Sequence, residues 1–353
     1  MIIPQISILQ IDREQLESQS LHWGLFPKLA WVNLPTDIEA YESVLRKVSG
    51  RVDLWVHLEK FDPQLAIHCL NLGASGILVN EGQQDLPVDL PKEKLTLFRD
   101  DLQQDDAIEK GVIVSSSDPK SDRLAELEMA RVDCLVKIEH LTTALMVDFF
   151  DRVLVSDRED GLWSTVIVDP IGIALGLAYS NRESLGYALE NRVGTYWSRS
   201  RKGLWVKGQT SGATQHLINI RMDCDRDCIR FMVTQSPPGF CHLERHSCFG
   251  RERSIAEVIQ RLENRISEAD ENSFTSKLAS NPAILESKLL EESRELAEAA
   301  AGENSDEVTW EAADVLYFSI VAMLKHGVSL SDVYAELARR MNRVVRRGPG
   351  IKT

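Results

Sequence analysis

The apolar pattern of this chain changes its period twice along 353 residues, and no single sheet or helix bundle accommodates all three patterns. Up to about residue 150, short apolar runs at 29–34, 54–58, 76–79 and 112–114 have the length and continuity of strands buried on both faces. Helical stretches at 36–48 and 121–131 lie between some of them, which predicts βα units. From 151 to 250 the pattern becomes β-rich, with strands expected at 164–168, 174–179, 194–198, 215–221 and 228–234 and one helix at 182–190. An amphipathic helix at 254–268 then runs into the polar linker ADENSF, and the rest is helical. Asn281 before Pro282, and Ser329, mark helix starts, and RRGPG marks a stop. The expectation is a multidomain chain: an α/β domain of unknown role at 1–150, a β-rich α+β domain at 151–250, a helical linker at 251–273 and an all-α domain at 274–353.

Charge and cysteine usage narrow the partners. A formal net charge of -14 argues against a broad nucleic-acid surface, so an anionic ligand needs a local basic pocket. No apolar run has the length of a membrane span, and the N-terminus has neither a basic n-region nor a cleavage pattern. A cytoplasmic chain is expected. Four of the six cysteines fall between Cys224 and Cys248, and in a reducing compartment metal binding or burial explains them better than disulfides.

The densest chemistry lies in DCDRDC and GFCHLERHSCFG. On an extended strand Asp223, Asp225 and Asp227 would share one face and Cys224 the other. Three carboxylates so placed suit Mg²⁺, or else form a solvated acidic edge. Cys224, Cys241 and Cys248 offer three thiolates, which leave zinc an open position for a water that ionises near neutral pH. His242 stands where a general base is needed. A closed structural zinc site, with Cys228 or a histidine as fourth ligand, and simple burial both stay open. Upstream, Arg199, Arg201, Lys202 and Lys207 sit among the small residues Ser198, Ser200, Thr210, Ser211 and Gly212, a set suited to phosphate or equally to a charged hairpin surface.

Residues 161–250 resemble phosphoribosyl-AMP cyclohydrolase through LAYSNRESL, YWSRSRKGLWVKGQTSG, DCDRD and FCHLERHSCFG. The resemblance implies Mg²⁺ on Asp223, Asp225 and Asp227, and Zn²⁺ on Cys224, Cys241 and Cys248. It also implies a homodimer with ligands from both subunits, and hydrolytic opening of the adenine ring between N1 and C6. Gln209 and Ala213 depart from the family's common Glu and His, which implies altered substrate contacts. Cys228 replaces a small residue and is expected to pack.

In the C-terminal part, Leu285, Leu289 and Leu296 form one apolar stripe and Trp310, Tyr317, Val321 and Leu324 another. Glu292 lies at the edge of the first, with Lys288 and Glu295 beyond it, and Asp314 falls in the middle of the second. A buried Asp314 would need a partner or a metal. Glu292 with Glu295, and Glu311 with Asp314, make two acidic i,i+3 pairs of the kind that build Mg²⁺ sites between helices. A solvated acidic face is the alternative for Glu291, Glu295 and Glu298.

These pairs resemble the MazG-type all-α nucleotide pyrophosphohydrolases. FTSKL, LESKLLEESREL and WEAADVLYF are similar more closely to phosphoribosyl-ATP pyrophosphohydrolase. That resemblance implies release of pyrophosphate and formation of phosphoribosyl-AMP, the substrate of the preceding domain. Residues 1–150 are diffusely similar to the leading region of fungal multifunctional histidine-biosynthesis enzymes, which has no assigned activity. Those enzymes continue into a histidinol dehydrogenase, and no third activity is expected here. Two other readings compete: a metal-stabilised scaffold without activity, and a general nucleoside triphosphate pyrophosphohydrolase in the C-terminal domain.

Overall fold

The computed structural model describes residues 1–8, 11–58, 60–80, 90–99, 112–116, 119–250, 254–270 and 272–344. Two compact units result, one formed by Met1–Cys248 with the C-terminal end from Ala335, the other by Phe249–Tyr334. No single helix among the described residues is long and apolar enough to cross a membrane.

In the first unit seven parallel strands close into a barrel: β1 (Ile2–Ser7), β2 (Lys28–Leu34), β3 (Asp53–Leu58), β4 (Gly76–Asn80), β5 (Leu95–Arg99), β6 (Val112–Ser116) and β7 (Cys134–Lys137). Closure comes from β7 pairing back onto β1, with Ile3 opposite Leu135. Around the barrel run α1 (Arg13–Trp23), α2 (Glu42–Val48), α3 (Pro63–Leu72), α4 (Ser121–Met129) and α5 (Thr143–Val153). Leu54 and Val56 of β3 and Ile77 and Val79 of β4 pack outward among Val44, Leu45, Ala66 and Leu70 of the helices. The alternate residues Ile3, Ala30, Leu78, Ile113 and Leu135 fill the barrel interior. Apolar residues on both faces are why these strands read as continuous runs. Trp55 also faces inward, and a Cβ on Gly76 would lie 2.4 Å from its ring, so the tryptophan crosses the interior only beside a glycine.

The rest of this unit holds β8 (Trp163–Val168), β9 (Ala174–Ser180), α6 (Arg182–Asn191), β10 (Thr195–Ser198), β11 (Gly203–Val206), β12 (Gln215–Met222) and β13 (Cys228–Gln235). Four strands form one sheet in the order β12-β13-β8-β9, and β10 and β11 pair separately. The charged stretch at 151–161 is no gap in packing. Phe149 and Phe150 of α5 share one buried cluster with Leu185 of α6 and with Ile167 and Phe231 of the sheet.

The helical unit contains α7 (Ile255–Glu268), α8 (Phe274–Ser280), α9 (Pro282–Ala301), α10 (Ser305–Lys325) and the start of α11 (Leu330–Met341). Asn281 caps α9 by accepting from the N–H groups of Ala283 and Ile284, and Ser329 and Asp332 exchange hydrogen bonds at the start of α11. The RRGPG stop lies outside the described residues. The 251–273 segment read as a linker supplies α7, whose Leu262 is buried with Leu278, Leu285, Phe318 and Val321. The expected stripe on α10 needs correction. Its buried residues, Phe318, Ile320 and Val321, all lie in the second half of the helix, so Trp310 is 63% exposed and Asp314 is exposed too.

Candidate active sites

DCDRDC does not extend a strand. Residues 223–227 form the turn between β12 and β13, with Cys228 opening β13, and Arg226 takes a left-handed φ of 68° within the turn. The three aspartates still converge, because a tight turn gathers side chains that a strand would space out: ligand atoms of Asp223, Asp225 and Asp227 lie within 4.8 Å of one another, all exposed. Asp223 accepts the backbone N–H of Cys228 at 3.1 Å. A hydrogen bond with Asp223, then repulsion from Asp225, raises the carboxyl of Asp227 above its usual range. A divalent cation would relieve that crowding, so the donor set fits Mg²⁺.

A cavity of about 530 Å³ opens beside β11 and the 238–248 loop. Its walls bring together Arg201, Lys207, Thr210 and Ser211 with Cys241, His242 and Cys248. Gln209 and Ala213, the two departures, line it as well. Arg199, Lys202 and Gly212 are not among its walls, and Arg199 instead stacks over Tyr179 at 4.1 Å. Lys207 is buried, donates to the carbonyl of Ala213 at 3.3 Å and sits 5.4 Å from the Phe240 ring. Burial lowers its pKa, and the neighbouring thiols of Cys248 and Cys241 oppose that shift. The Cys248 thiol is raised by burial and by its close contact with Cys241. Cys224 stays apart from this pair, exposed in the acidic turn, and the three sulfurs form no cluster within one chain. Cys228 is half-buried at the start of β13, where burial raises its thiol.

One supporting pair escaped the sequence reading. Asp169, with its side chain 7% exposed, meets His246 Nε2 at 3.0 Å and accepts from the N–H groups of Ile171 and Ile173. It ties the loop that carries Cys241, His242 and Cys248 to the turn between β8 and β9. The Asp-Pro-Ile-Gly run at 169–172 was the available signal, since such runs nucleate turns.

In the helical unit, ligand atoms of Glu292, Glu295 and Glu311 gather within 4.8 Å. Glu292 is buried, with Lys288 Nζ at 3.6 Å from it and 2.8 Å from Glu291. Partial burial first, and then Glu295, Glu292 and Asp314, raise the carboxyl of Glu311. Asp314 thus stands near the cluster without being buried in it. The donor set is all carboxylate oxygen, as Mg²⁺ requires.

Comparison with known proteins follows the same division of the chain. The sequence model of phosphoribosyl-AMP cyclohydrolase matches residues 176–250, and that of phosphoribosyl-ATP pyrophosphohydrolase matches 255–341. The chain is 35% identical to the histidine biosynthesis bifunctional protein his7 of Schizosaccharomyces pombe, over 86% of this chain and 84% of that one. It is 38% identical to the bifunctional protein HisIE of Parasynechococcus marenigrum, over 52% of this chain and 90% of the relative. Identity to the histidine biosynthesis trifunctional protein of Saccharomyces cerevisiae is 37%, over 67% of this chain but 29% of that longer protein.

Proposed function

This chain belongs to the family of bifunctional histidine-biosynthesis enzymes, and we propose how its residues divide the two reactions. The pyrophosphohydrolase part hydrolyses phosphoribosyl-ATP to phosphoribosyl-AMP and pyrophosphate, and the cyclohydrolase part opens the adenine ring of the product.

In the helical unit, read as MazG-like, Glu292, Glu295 and Glu311 would hold Mg²⁺, with Asp314 completing the set once phosphates arrive. The convergence of three carboxylates there is the observation that carries this reading. Mg²⁺ held by these carboxylates would supply charge neutralisation for the nucleotide phosphates and a more acidic water. Lys288, one turn before Glu292, is placed to neutralise the departing pyrophosphate.

In the cyclohydrolase cavity, Arg201, Lys207, Thr210 and Ser211 bind the phosphate end of phosphoribosyl-AMP, with Arg199 and Lys202 at the turn between β10 and β11 and Gly212 in the loop after β11. Gln209 and Ala213 contact the substrate in place of the family's Glu and His. Zinc held by Cys241, Cys248 and Cys224 would supply a water that ionises near neutral pH, with Mg²⁺ on the three aspartates beside it. His242, exposed at the cavity wall, would act as general base toward the attacking water and as general acid toward the ring nitrogen as the N1–C6 bond opens. Only two of the three thiols meet within a chain. The third therefore comes from a second copy, and the working enzyme is a homodimer acting in the cytoplasm.

The test is mass spectrometry of products after incubation of the purified protein with phosphoribosyl-ATP, Mg²⁺ and Zn²⁺. Pyrophosphate together with ring-opened product is expected. Accumulation of phosphoribosyl-AMP at saturating zinc would refute the cyclohydrolase reading, and preference for ordinary nucleoside triphosphates would favour a general pyrophosphohydrolase.

A further inference from the structure

The N-terminal barrel contains a second cavity, of about 790 Å³, which neither reaction uses. Its position follows from strand alternation. Inward-facing residues alternate along each strand, so the apolar filling of Ile3, Leu78, Ile113 and Leu135 is followed two residues later by Gln5, Asn80, Ser115 and Lys137. On β3 the same step leads from Trp55 to His57, which is buried, and on β1 a further step reaches Ser7. The lumen is therefore closed by apolar side chains near the strand starts and becomes more polar at the carboxyl ends, where Val32 of β2 and Phe98 of β5 keep part of the wall apolar. All strands of a parallel barrel point the same way, so these polar groups gather at one mouth. That is the end at which α/β barrels place their ligand sites, because the loops that follow the strands surround it.

Asn33, at the end of β2, takes a left-handed φ of 58°, and its N–H donates to His57 Nδ1 at 3.4 Å. That conformation goes with the irregularity in β2–β3 pairing between Trp31 and Leu34, and it places the Asn33 amide at the cavity rim.

From this lining we infer that the barrel mouth binds a small hydroxyl-rich anion of the sugar phosphate class. The amides of Gln5 and Asn33 and the hydroxyls of Ser7 and Ser116 both donate and accept, which matches sugar hydroxyls. Among the described wall residues Lys137 is the one cation and Glu139 the one carboxylate, so an anionic group is anchored at the Lys137 side and the carboxylate is left to accept from sugar hydroxyls. Trp23 presents an aromatic wall for the sugar face. The volume lies within the range of small-molecule sites and is far more than inorganic phosphate alone would fill. Ribose 5-phosphate is the probe, because it is the part shared by substrate, intermediate and product. Only this choice of probe rests on the proposed function.

Hydrogen exchange of the full-length protein with and without millimolar ribose 5-phosphate tests the site. Slowed exchange is expected in peptides covering 2–7, 28–34, 112–116 and 134–140, with little effect from ribose alone. Lys137→Met is expected to raise the ligand concentration needed by about tenfold, as loss of one charge-assisted contact implies, while both hydrolytic activities stay at their wild-type rates. Gln5→Met gives a second, sterically mild variant with an effect in the same direction. Protection confined to 196–213 and 238–248 would overturn the inference, as would equal protection by inorganic phosphate or indifference to both substitutions. Loss of the hydrolytic activities in unmodified protein would instead count against the proposed function, and the exchange result would still decide this site.

Discussion

At the scale of single residues, the two proposed active sites make separable demands. Cys241→Ser removes one of the two thiols that meet in the cavity. Ring opening should fall by at least ~100-fold, since even outer partners of a metal ligand cost 10–100-fold when lost. Pyrophosphate release should be unchanged, and residual ring opening near the wild-type rate would remove zinc from the account. Asp314→Asn should produce the mirror image, abolishing pyrophosphate release while supplied phosphoribosyl-AMP is still opened. Loss of both activities would indicate a folding defect. The residue types at these sites were legible because carboxylates and thiols crowd there into short stretches, although a solvated acidic face or buried cysteines would give the same local pattern. Their geometry was less so. Alternation assigns the aspartates to a strand face only if the backbone is extended, and the left-handed Arg226 breaks that condition. Burial of Asp314 was inferred from a helical stripe, but a stripe says which side is apolar and not whether a neighbour covers it.

At the scale of elements, the C-terminal helices, α2, α4, α6 and the long strands were legible from periodicity, whereas α1, α3, α5, β1, β5, β7 and β11 were not. β7 and β11 have four residues each, too few to show a period, and β5 (Leu95–Arg99) sits between charged residues. Barrel closure was equally invisible, because β1 and β7 pair across more than a hundred residues without any local signal. Long-range docking by α11 is of the same kind. Arg339 is 5% exposed and donates to the carbonyl of Leu72 at 3.1 Å, while Asn342 donates to the carbonyl of Gly73 at 3.0 Å. Glu336 orients that arginine at 2.6 Å, and Arg339 and then Arg340 hold its carboxyl down at about 2. A depressed folded pKa means stability that is fully present above the ordinary glutamate value of about 4.3 and lost as pH falls toward 2. Glu336 is about two-fifths exposed, so screening limits the contribution to about 1 kcal/mol. Glu336→Gln should accordingly lower the neutral-pH unfolding free energy by no more than that and flatten its decline between pH 4 and 2. An unchanged acid limb in chemical denaturation would show that the pair is inert.

Acid crowding in the helical unit links the same chemistry to metal occupancy. The raised carboxyl of Glu311, surrounded by Glu295, Glu292 and Asp314, means that protonation stabilises this unit: the gain is complete below the ordinary glutamate pKa and vanishes as pH rises through the raised folded value. Magnesium answers the same repulsion, so added Mg²⁺ should raise the unfolding temperature of the helical transition at neutral pH. That increment should fade as pH is lowered through the Glu311 transition, because proton and metal compete for the same oxygens. Calorimetry at several pH values with and without Mg²⁺ measures it, and a metal increment independent of pH would place the ion elsewhere.

At the scale of the whole molecule, the separation of Cys224 from Cys241 and Cys248 has a consequence that single-chain variants do not reach. If each zinc centre takes Cys224 from one copy and the cysteine pair from the other, Cys224→Ser and Cys241→Ser proteins are each inactive in ring opening. Mixed and allowed to exchange subunits, they form a dimer in which one centre carries both lesions and the other carries neither. With random exchange half the dimers are of this mixed kind, so ring opening should recover to about a quarter of the wild-type rate, as an isologous two-fold assembly requires. Pyrophosphate release serves as the internal standard, since both variants keep the acids of the helical unit. Recovery would also show that the solvent-exposed acidic turn seen in one chain is half of a site. If mixing restores nothing while subunit exchange is verified by mass, the three thiols would have to meet within one chain, and the 223–227 turn would have to move to bring Cys224 to the cavity.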